Sequence, residues 1–553
     1  MLLLVEPLAF DDVHHTLWMW VVVPLGLLAA AVLTVRLRLP QLLELPAAVR
    51  GLRESDPSAD GVLPPAAASL LTVTLTYGAA AAVGAATAVS LGGAGAIAWV
   101  WVFVIVIAPL RMGEVLLART SPPGEAGAET GTLAHRLLED PYNGLRVLGT
   151  LLLLLVPAVG FAYYGGVHGA AVAGLAEQLL PTSAMPVGLA VALAAAGLAI
   201  APPRRVGAVL GWTALLAVLL LLALGVRAGL QEPGRFLGAA PRALGDLLEG
   251  AAEARHFTGA QAGEVAAAAF AALLPPLVAA TGTVSALHGA AQARTTRRQA
   301  ATAVLGPVAY GVLTTVIGLS LVATGAFTVR MEVRRPITEL TVIAPGMAFD
   351  TASQRLEEER GFSGPMRVLD GGLGVVPLEL ATERGMVTDA RFELDDEPAD
   401  VLFQLSAGKV VDYQRPEGEF RALARQPLED AAHVEVIGEM LPTGSLLFLA
   451  SMSHGGGDVA GRLALASLLV LATLGAAAWG WAIRWTLEAR LTPAIARLGA
   501  LVPAAGLALA VGVGDPVLGA AGGLLAGAVA TVVSLALIVR SAPLARLARS
   551  PKG

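Results

Sequence analysis

Residues 77–119 constrain this chain most: two long apolar stretches are separated only by Gly92-Gly93-Ala94-Gly95, and the second ends in Arg111 and Glu114. Each stretch is long enough to cross the hydrocarbon core of a bilayer, which takes about 20 mostly apolar residues. Two such stretches joined so closely predict a helical hairpin in a membrane. The rest of the chain has the same character. Apolar residues make up 56% of 553 and charged residues 14%, with a mean hydropathy of +0.70, far from the balance of a water-soluble enzyme. Eleven spans are expected, at 16–36, 66–90, 95–117, 147–170, 187–201, 206–226, 264–283, 300–325, 462–484, 495–513 and 517–540.

There is no cysteine, which excludes disulfides, thiol catalysis and cysteine-ligated metals. The start, MLLLVEPLAFDD, has acids but no Lys or Arg, so it does not read as a cleaved signal peptide. The first span then serves as an anchor. Arg36, Arg38, Arg50 and Arg53 follow that span, and further basic residues cluster at 204–205, 294–298, 484–490 and 540–552. By the positive-inside rule these loops are cytoplasmic. That puts residues 1–15 outside and a basic tail, 541–553, inside a bacterial-type inner membrane. Residues 227–263 lie outside in this scheme, yet interleave Arg227, Arg235, Arg242 and Arg255 with Asp246, Glu249 and Glu253. A surface-lying amphipathic helix accounts for them.

Between the eighth and ninth spans lies a polar block, 328–457, with 12 Lys and Arg against 22 Asp and Glu. Its net charge of −10 contrasts with +4 for the remainder. Alternating stretches at Thr328–Val333, Thr338–Ile343, Asp400–Leu405, His433–Ile437 and Ser445–Leu449 predict short strands. Ser353–Arg360 reads as a helix. A β-rich acidic domain outside the cytoplasm is expected, with room for its own core and a face for a cationic or polar protein partner.

Two places in the sequence resemble the sodium:alanine symporter family. That family carries a G-T-G-N-I-A-G-V-A-T-A-like stretch, then L-G-G-P-G, a W-x-W pair and a lysine-to-glutamate segment. Here the frame is kept as Gly78, Gly84, Thr87, Leu91-Gly92-Gly93-Ala94-Gly95, Trp99, Trp101, Arg111 and Glu114, but the Gly-Asn pair is Ala80-Ala81. The second place is Thr281–Gln299, where Gly282, His288, Ala290, Ala291, Arg298 and Gln299 match while the family's Ser-Asn-Glu falls on Pro276-Leu277-Val278. The resemblance implies a polytopic helical membrane protein of the inverted-repeat kind: a five-plus-five, leucine-transporter-like core over 66–325 and 462–540, beside a peripheral first helix at 16–36. Substrate then sits at the midplane between discontinuous helices.

On this reading a small neutral solute contacts Gly78, Ala80, Ala81, Gly84, Thr281, Gly282 and Thr283. A sodium ion, the only ion in view, takes oxygens from Thr74, Thr76, Thr87, Ser285, Ser467 and Thr473. Alanine is the strongest helix former, so residues 78–84 are expected to stay helical and the site to be drier than in a working symporter. Arg111 and Glu114, three apart on one helix face, read as an inner charge pair that locks a gate or snorkels to the interface. His288 reads as a helix-end residue. His14-His15 and His168 lack the second ligand a metal site needs. No resident cofactor, enzyme motif or nucleic-acid surface is indicated, and the bilayer is the one certain partner. Two functions stand: a carrier with altered solute and ion coupling, or a transport-inactive scaffold that displays 328–457 to a partner.

Overall fold

The computed structural model describes residues 16–56, 61–119, 131–179, 184–250, 261–293, 295–343, 361–373, 378–382, 385–417, 422–440, 442, 444–488, 490–513 and 516–549. Ser353–Arg360 and His14-His15 lie outside these residues. Among them, nine helices are long and apolar enough to cross a membrane, against the eleven spans read from the sequence. The two counts differ at two places. Ala79–Ala118 is counted once although it reverses direction, and Ala184–Ile200 is one residue short of the length required.

Helix α1 is Val23–Arg36, entered through a π-helical turn at Trp18–Val22. Helix α2, Pro65–Thr76, stops at Tyr77 and Gly78, both extended, before α3 begins at Ala79 and runs to Ala118. So residue 78 breaks the helix that the alanines were expected to continue; Ala79 onward is helical. The physical reason is local. A Cβ at Gly78 would lie 2.7 Å from the His168 ring, so the backbone approaches that ring as only glycine allows.

Within α3, Gly93 takes φ 61° and ψ −158°, and the chain reverses there. Before it, Gly84 faces the Ala272 carbonyl and Gly92 faces Val265 and Ala268, so this limb runs against Ala262–Ala272. After it, Trp99 and Phe103 meet Phe270, and Glu114 reaches Ser285, so the second limb runs with that helix. The Gly-Gly-Ala-Gly segment is thus the hairpin turn.

Helices α4 (Asn143–Val159) and α5 (His168–Leu179) are joined through a π-helical stretch, Gly160–Val167. Then come α6 (Ala184–Ile200), α7 (Pro203–Gly229) and α8 (Pro233–Glu249). Helix α8 falls in the segment read as amphipathic. It buries Ala239 and Ala243, exposes Leu237, Leu244 and Leu248, and packs its Asp246 backbone on Gly95 at the hairpin turn. The sixth core span is in pieces: α9 (Ala262–Ala272), α10 (Leu274–Ala279) and α11 (Val284–Gly289), followed by α12 (Leu305–Thr324).

Eleven strands follow: β1 Met331–Pro336, β2 Thr341–Ile343, β3 Gly364–Leu369, β4 Gly372–Leu373, β5 Glu379–Thr382, β6 Gly385–Leu394, β7 Glu397–Pro398, β8 Val401–Ser406, β9 Lys409–Glu417, β10 Ala422–Gln426 and β11 Val434–Met440. They form two sheets, ordered β1-β11-β6-β5-β2 and β10-β9-β8-β3-β4. Their shared core centres on Met366, Phe392, Phe403, Tyr413 and Val436 and contains no residue of the helical core. Positive φ at both residues of Asp370-Gly371, Asp395-Asp396 and Ala407-Gly408 gives the two-residue hairpins that suit strand twist. The first and last strands pair antiparallel, Met331 against Met440, so the block enters and leaves through one two-stranded stem.

Ser445–Leu449, expected as a strand, is helical. It belongs to α13 (Gly444–Ser453), whose Leu447, Phe448 and Met452 join the core of the bundle. A short apolar run carries no period of its own, and burial among helices decides its form. Helices α14 (Gly457–Glu488), α15 (Val502–Val513) and α16 (Pro516–Arg549) complete the bundle. Helix α1 runs alongside α16, with Trp18 Nε1 donating to the Gly523 carbonyl at 3.2 Å.

Candidate functional site

A helix that stops inside a membrane strands carbonyls at one end and N–H groups at the other, with no water to take them up. Among the described residues, two such interruptions lie at Tyr77-Gly78 and at 280–283. Around the first, tyrosine hydroxyls reach backbone carbonyls, one of them, Thr74, in the last turn of α2. Tyr164 shares its hydroxyl proton between the carbonyls of Thr74 on α2 and Ala472 on α14, at 3.3 and 3.2 Å. Gly475 permits this approach, since a Cβ there would lie 2.5 Å from the Thr74 carbonyl oxygen. Tyr310 donates to the Leu273 carbonyl at 2.8 Å and sets its ring edge-on to Tyr77, centroids 5.7 Å apart.

His168 stacks on Tyr164 at 4.2 Å and closes over Gly78; Trp479 lies on the other side of Tyr164 at 6.0 Å. Five rings therefore line one interruption. Tyr77 Oη, His168 Nδ1 and Trp479 Nε1 are buried without a hydrogen-bond partner among the described residues. Unpaired polar atoms are costly in such surroundings, at about 1–3 kcal/mol each. Each such atom in a buried setting calls for an account.

The second interruption, at 280–283, is stitched by charge. Arg111 and Glu114 pair at 3.1 Å and are 1% exposed, so neither snorkels. Arg111 Nη2 donates to the Leu277 carbonyl at the end of α10. Glu114 Oε1 accepts from the Ser285 N–H, 2.9 Å away, in the first turn of α11. Cation at a helix C-terminus and anion at an N-terminus is the favourable sense of the helix dipole. At the C-terminal end of α11, Arg119 gathers the carbonyls of His288, Gly289 and Ala291. His288 sits at that helix end, with Nε2 3.1 Å from Thr72 Oγ1 and Nδ1 2.8 Å from Gln299 Nε2. With the amide donating to Nδ1, the proton is on Nε2. The second limb of α3 thus holds the broken helix together.

The expected solute residues fall into two groups. Gly78, Ala80, Ala81 and Gly84 start the first limb of α3 and are buried or nearly so. Gly78 faces His168, while Gly84 faces Ala272. Thr281, Gly282 and Thr283 form the link at the second interruption. Gly282, at φ +87°, packs against Val156 and Val529, and Thr283 donates to Ala280 at 2.6 Å. These neighbours differ from those of Gly78.

The expected ion ligands donate their protons to their own helices: Thr74 to Leu71, Thr76 to Val73, Thr87 to Val83, Ser285 to Gly282, Ser467 to Leu463 and Thr473 to Leu469. This is the usual habit of hydroxyls in membrane helices. Thr74 and Thr473 nevertheless belong to the two segments that Tyr164 joins. No group of three or more His, Asp or Glu suited to a metal occurs among the described residues.

The sodium:alanine symporter family model matches residues 5–349, taking in α1 to α12 and the first two strands. The chain belongs to the sodium:alanine symporter family. It is therefore a multi-pass membrane protein of a transporter family, whose members couple a small amino acid to sodium. No curated relative matches the chain. Within this family frame, sequence reasoning reached Gly78, Arg111, Glu114 and His288. It weighed His168 only as a metal ligand and did not reach Tyr164, Tyr310 or Trp479 as site residues. Only the spacing from Tyr164 to His168, one helical turn, hinted that they share a face.

Proposed function

We propose that this symporter-family protein is a divergent carrier for a small neutral solute, such as a neutral amino acid, with weakened sodium coupling. The observation that carries this reading is the Tyr164 hydroxyl between the Thr74 and Ala472 carbonyls. Helices one and eight of this fold jointly hold sodium in many transporters. Here a neutral protein donor takes the two carbonyls that face each other across them, and lowers their value to a cation. In this proposal α2 to α16 make two inverted five-helix repeats beside α1. Gly78, Ala80, Ala81, Gly84, Thr281, Gly282 and Thr283 form the solute path, and Arg111–Glu114 forms its inner closure. The basic clusters put the C-terminus in the cytoplasm and the strand block outside.

The second reading is a transport-inactive scaffold presenting 328–457. The stem formed by β1 and β11 and the separate core of that block favour it. Thermal unfolding of the purified full chain across small neutral amino acids, with sodium or potassium, separates the two. Stabilisation by a subset of amino acids, equal in both cations, is expected. No stabilisation by any solute favours the scaffold.

A further inference from the structure

A cavity of about 340 Å³ lies between α1, the second limb of α3, the broken sixth helix and α16. That is within the range of ligand pockets, about 300–1,000 Å³, and well above the roughly 150 Å³ at which an apolar cavity already takes up benzene. Its walls are almost wholly carbon, with Thr281 and Ser534 bringing the only hydroxyls and no residue bringing charge. Gly26 and Leu27 at its mouth stand at the middle of the Trp18–Arg36 span, and Leu27 and Val102 are exposed beside it. Mid-span is the depth of acyl tails, not of headgroups.

We infer that this cavity is a binding site for one acyl chain of a membrane phospholipid, which enters sideways from the bilayer core between α1 and α3. The absence of charge and the mid-span opening fit hydrocarbon and turn away a headgroup. Phe270, Leu274, Val278 and Thr281 all line the cavity, at the spacing of one helix face. They run from α9 through α10 to the second interruption. A chain in the cavity touches that face along its length and ends at Thr281 in the link at 280–283. The lipid thereby supports the broken helix in its present arrangement. This inference does not depend on which solute is carried.

The test uses Gly26, which lines the cavity and where a Cβ would meet nothing within 4 Å; larger side chains are placed there to fill it. Full-length protein is reconstituted with phospholipid brominated at mid-chain, and quenching of Trp99, which lines the cavity, is taken as the difference from a Trp99→Phe variant. Native mass spectrometry counts the phospholipids retained after detergent washing. The expected result is strong Trp99 quenching and one retained phospholipid in the wild type and Gly26→Ala. Gly26→Leu and Gly26→Phe then lose at least half the quenching and the retained lipid, with unfolding temperatures unchanged or raised. Equal quenching and retention across the series overturns the inference, as does a wild type whose Trp99 is unquenched.

Discussion

At Tyr77-Gly78 the Thr74 carbonyl at the end of α2 is met by the neutral Tyr164 hydroxyl, whereas at 280–283 both stranded ends are held by a buried ion pair. The difference follows from what each interruption presents. Around the first the captured groups are carbonyls, for which a phenol hydroxyl suffices. The second offers a carbonyl end and an N–H end a few residues apart, so a cation and an anion one turn apart on a neighbouring helix match both at once. Neutral donors are weaker and more easily exchanged, while partnerless buried polar atoms occur at both places, Tyr77 Oη and His168 Nδ1 at the first and Arg111 Nε at the second. Charged partners fix geometry. In the function proposed above, the first interruption receives the solute and the second holds shape.

Breaking the ion pair gives the largest expected effect. Glu114→Leu strands a buried guanidinium and uncaps α11, and should cost about 3–5 kcal/mol. The double variant Arg111→Met/Glu114→Leu should cost less than the single one, since no lone charge remains. Chemical unfolding in lipid micelles measures both. If the single variant is no worse than Tyr164→Phe, charge is not what holds the second interruption.

Tyr164→Phe should cost about 1–3 kcal/mol, because the Thr74 carbonyl at the end of α2 loses its donor. It should also sharpen the contrast by increasing sodium-dependent stabilisation, as the freed carbonyls become available to a cation. A sodium titration of the unfolding temperature checks this. An unchanged sodium response would separate Tyr164 from ion coupling.

The smallest effect concerns Asp140, which precedes α4 and pairs with Arg540 of α16. Burial pushes Asp140 up, but the Arg540 ion pair, the Tyr142 N–H and Arg136 outweigh it, so its carboxyl sits below the usual range. A depressed folded value means stability that is present above the unfolded value, about 3.9, and is lost as pH falls through the folded one. Wild type should therefore lose its margin over Asp140→Asn below about pH 4. Unfolding temperatures from pH 6 to pH 3 test it, and a constant margin would contradict it.

Much of the helical frame was legible because spans announce themselves by length and apolarity. The hairpin turn was readable from Gly92-Gly93-Ala94-Gly95, since a reversal needs a glycine and Gly93 takes a positive φ. The break at Gly78 was not, because helix propensity favoured Ala79–Ala82 and gave no sign of the ring packed on Gly78. Arg111 and Glu114 were visible as a pair, but their capping of Leu277 and Ser285 depends on a helix more than 160 residues away. The strand block was readable from its polarity, and four of its five proposed strands overlap observed ones. Ser445–Leu449 failed because its apolar run fits a buried helix as well as a strand.

The central claim is tested most directly by counterflow and uptake of small neutral amino acids in proteoliposomes, with an inward sodium gradient against an equal potassium gradient. The account predicts uptake that is saturable and nearly the same in both, becoming sodium-stimulated in Tyr164→Phe. Concentrative uptake driven several-fold by sodium in the wild type, or no uptake under either gradient, would contradict it.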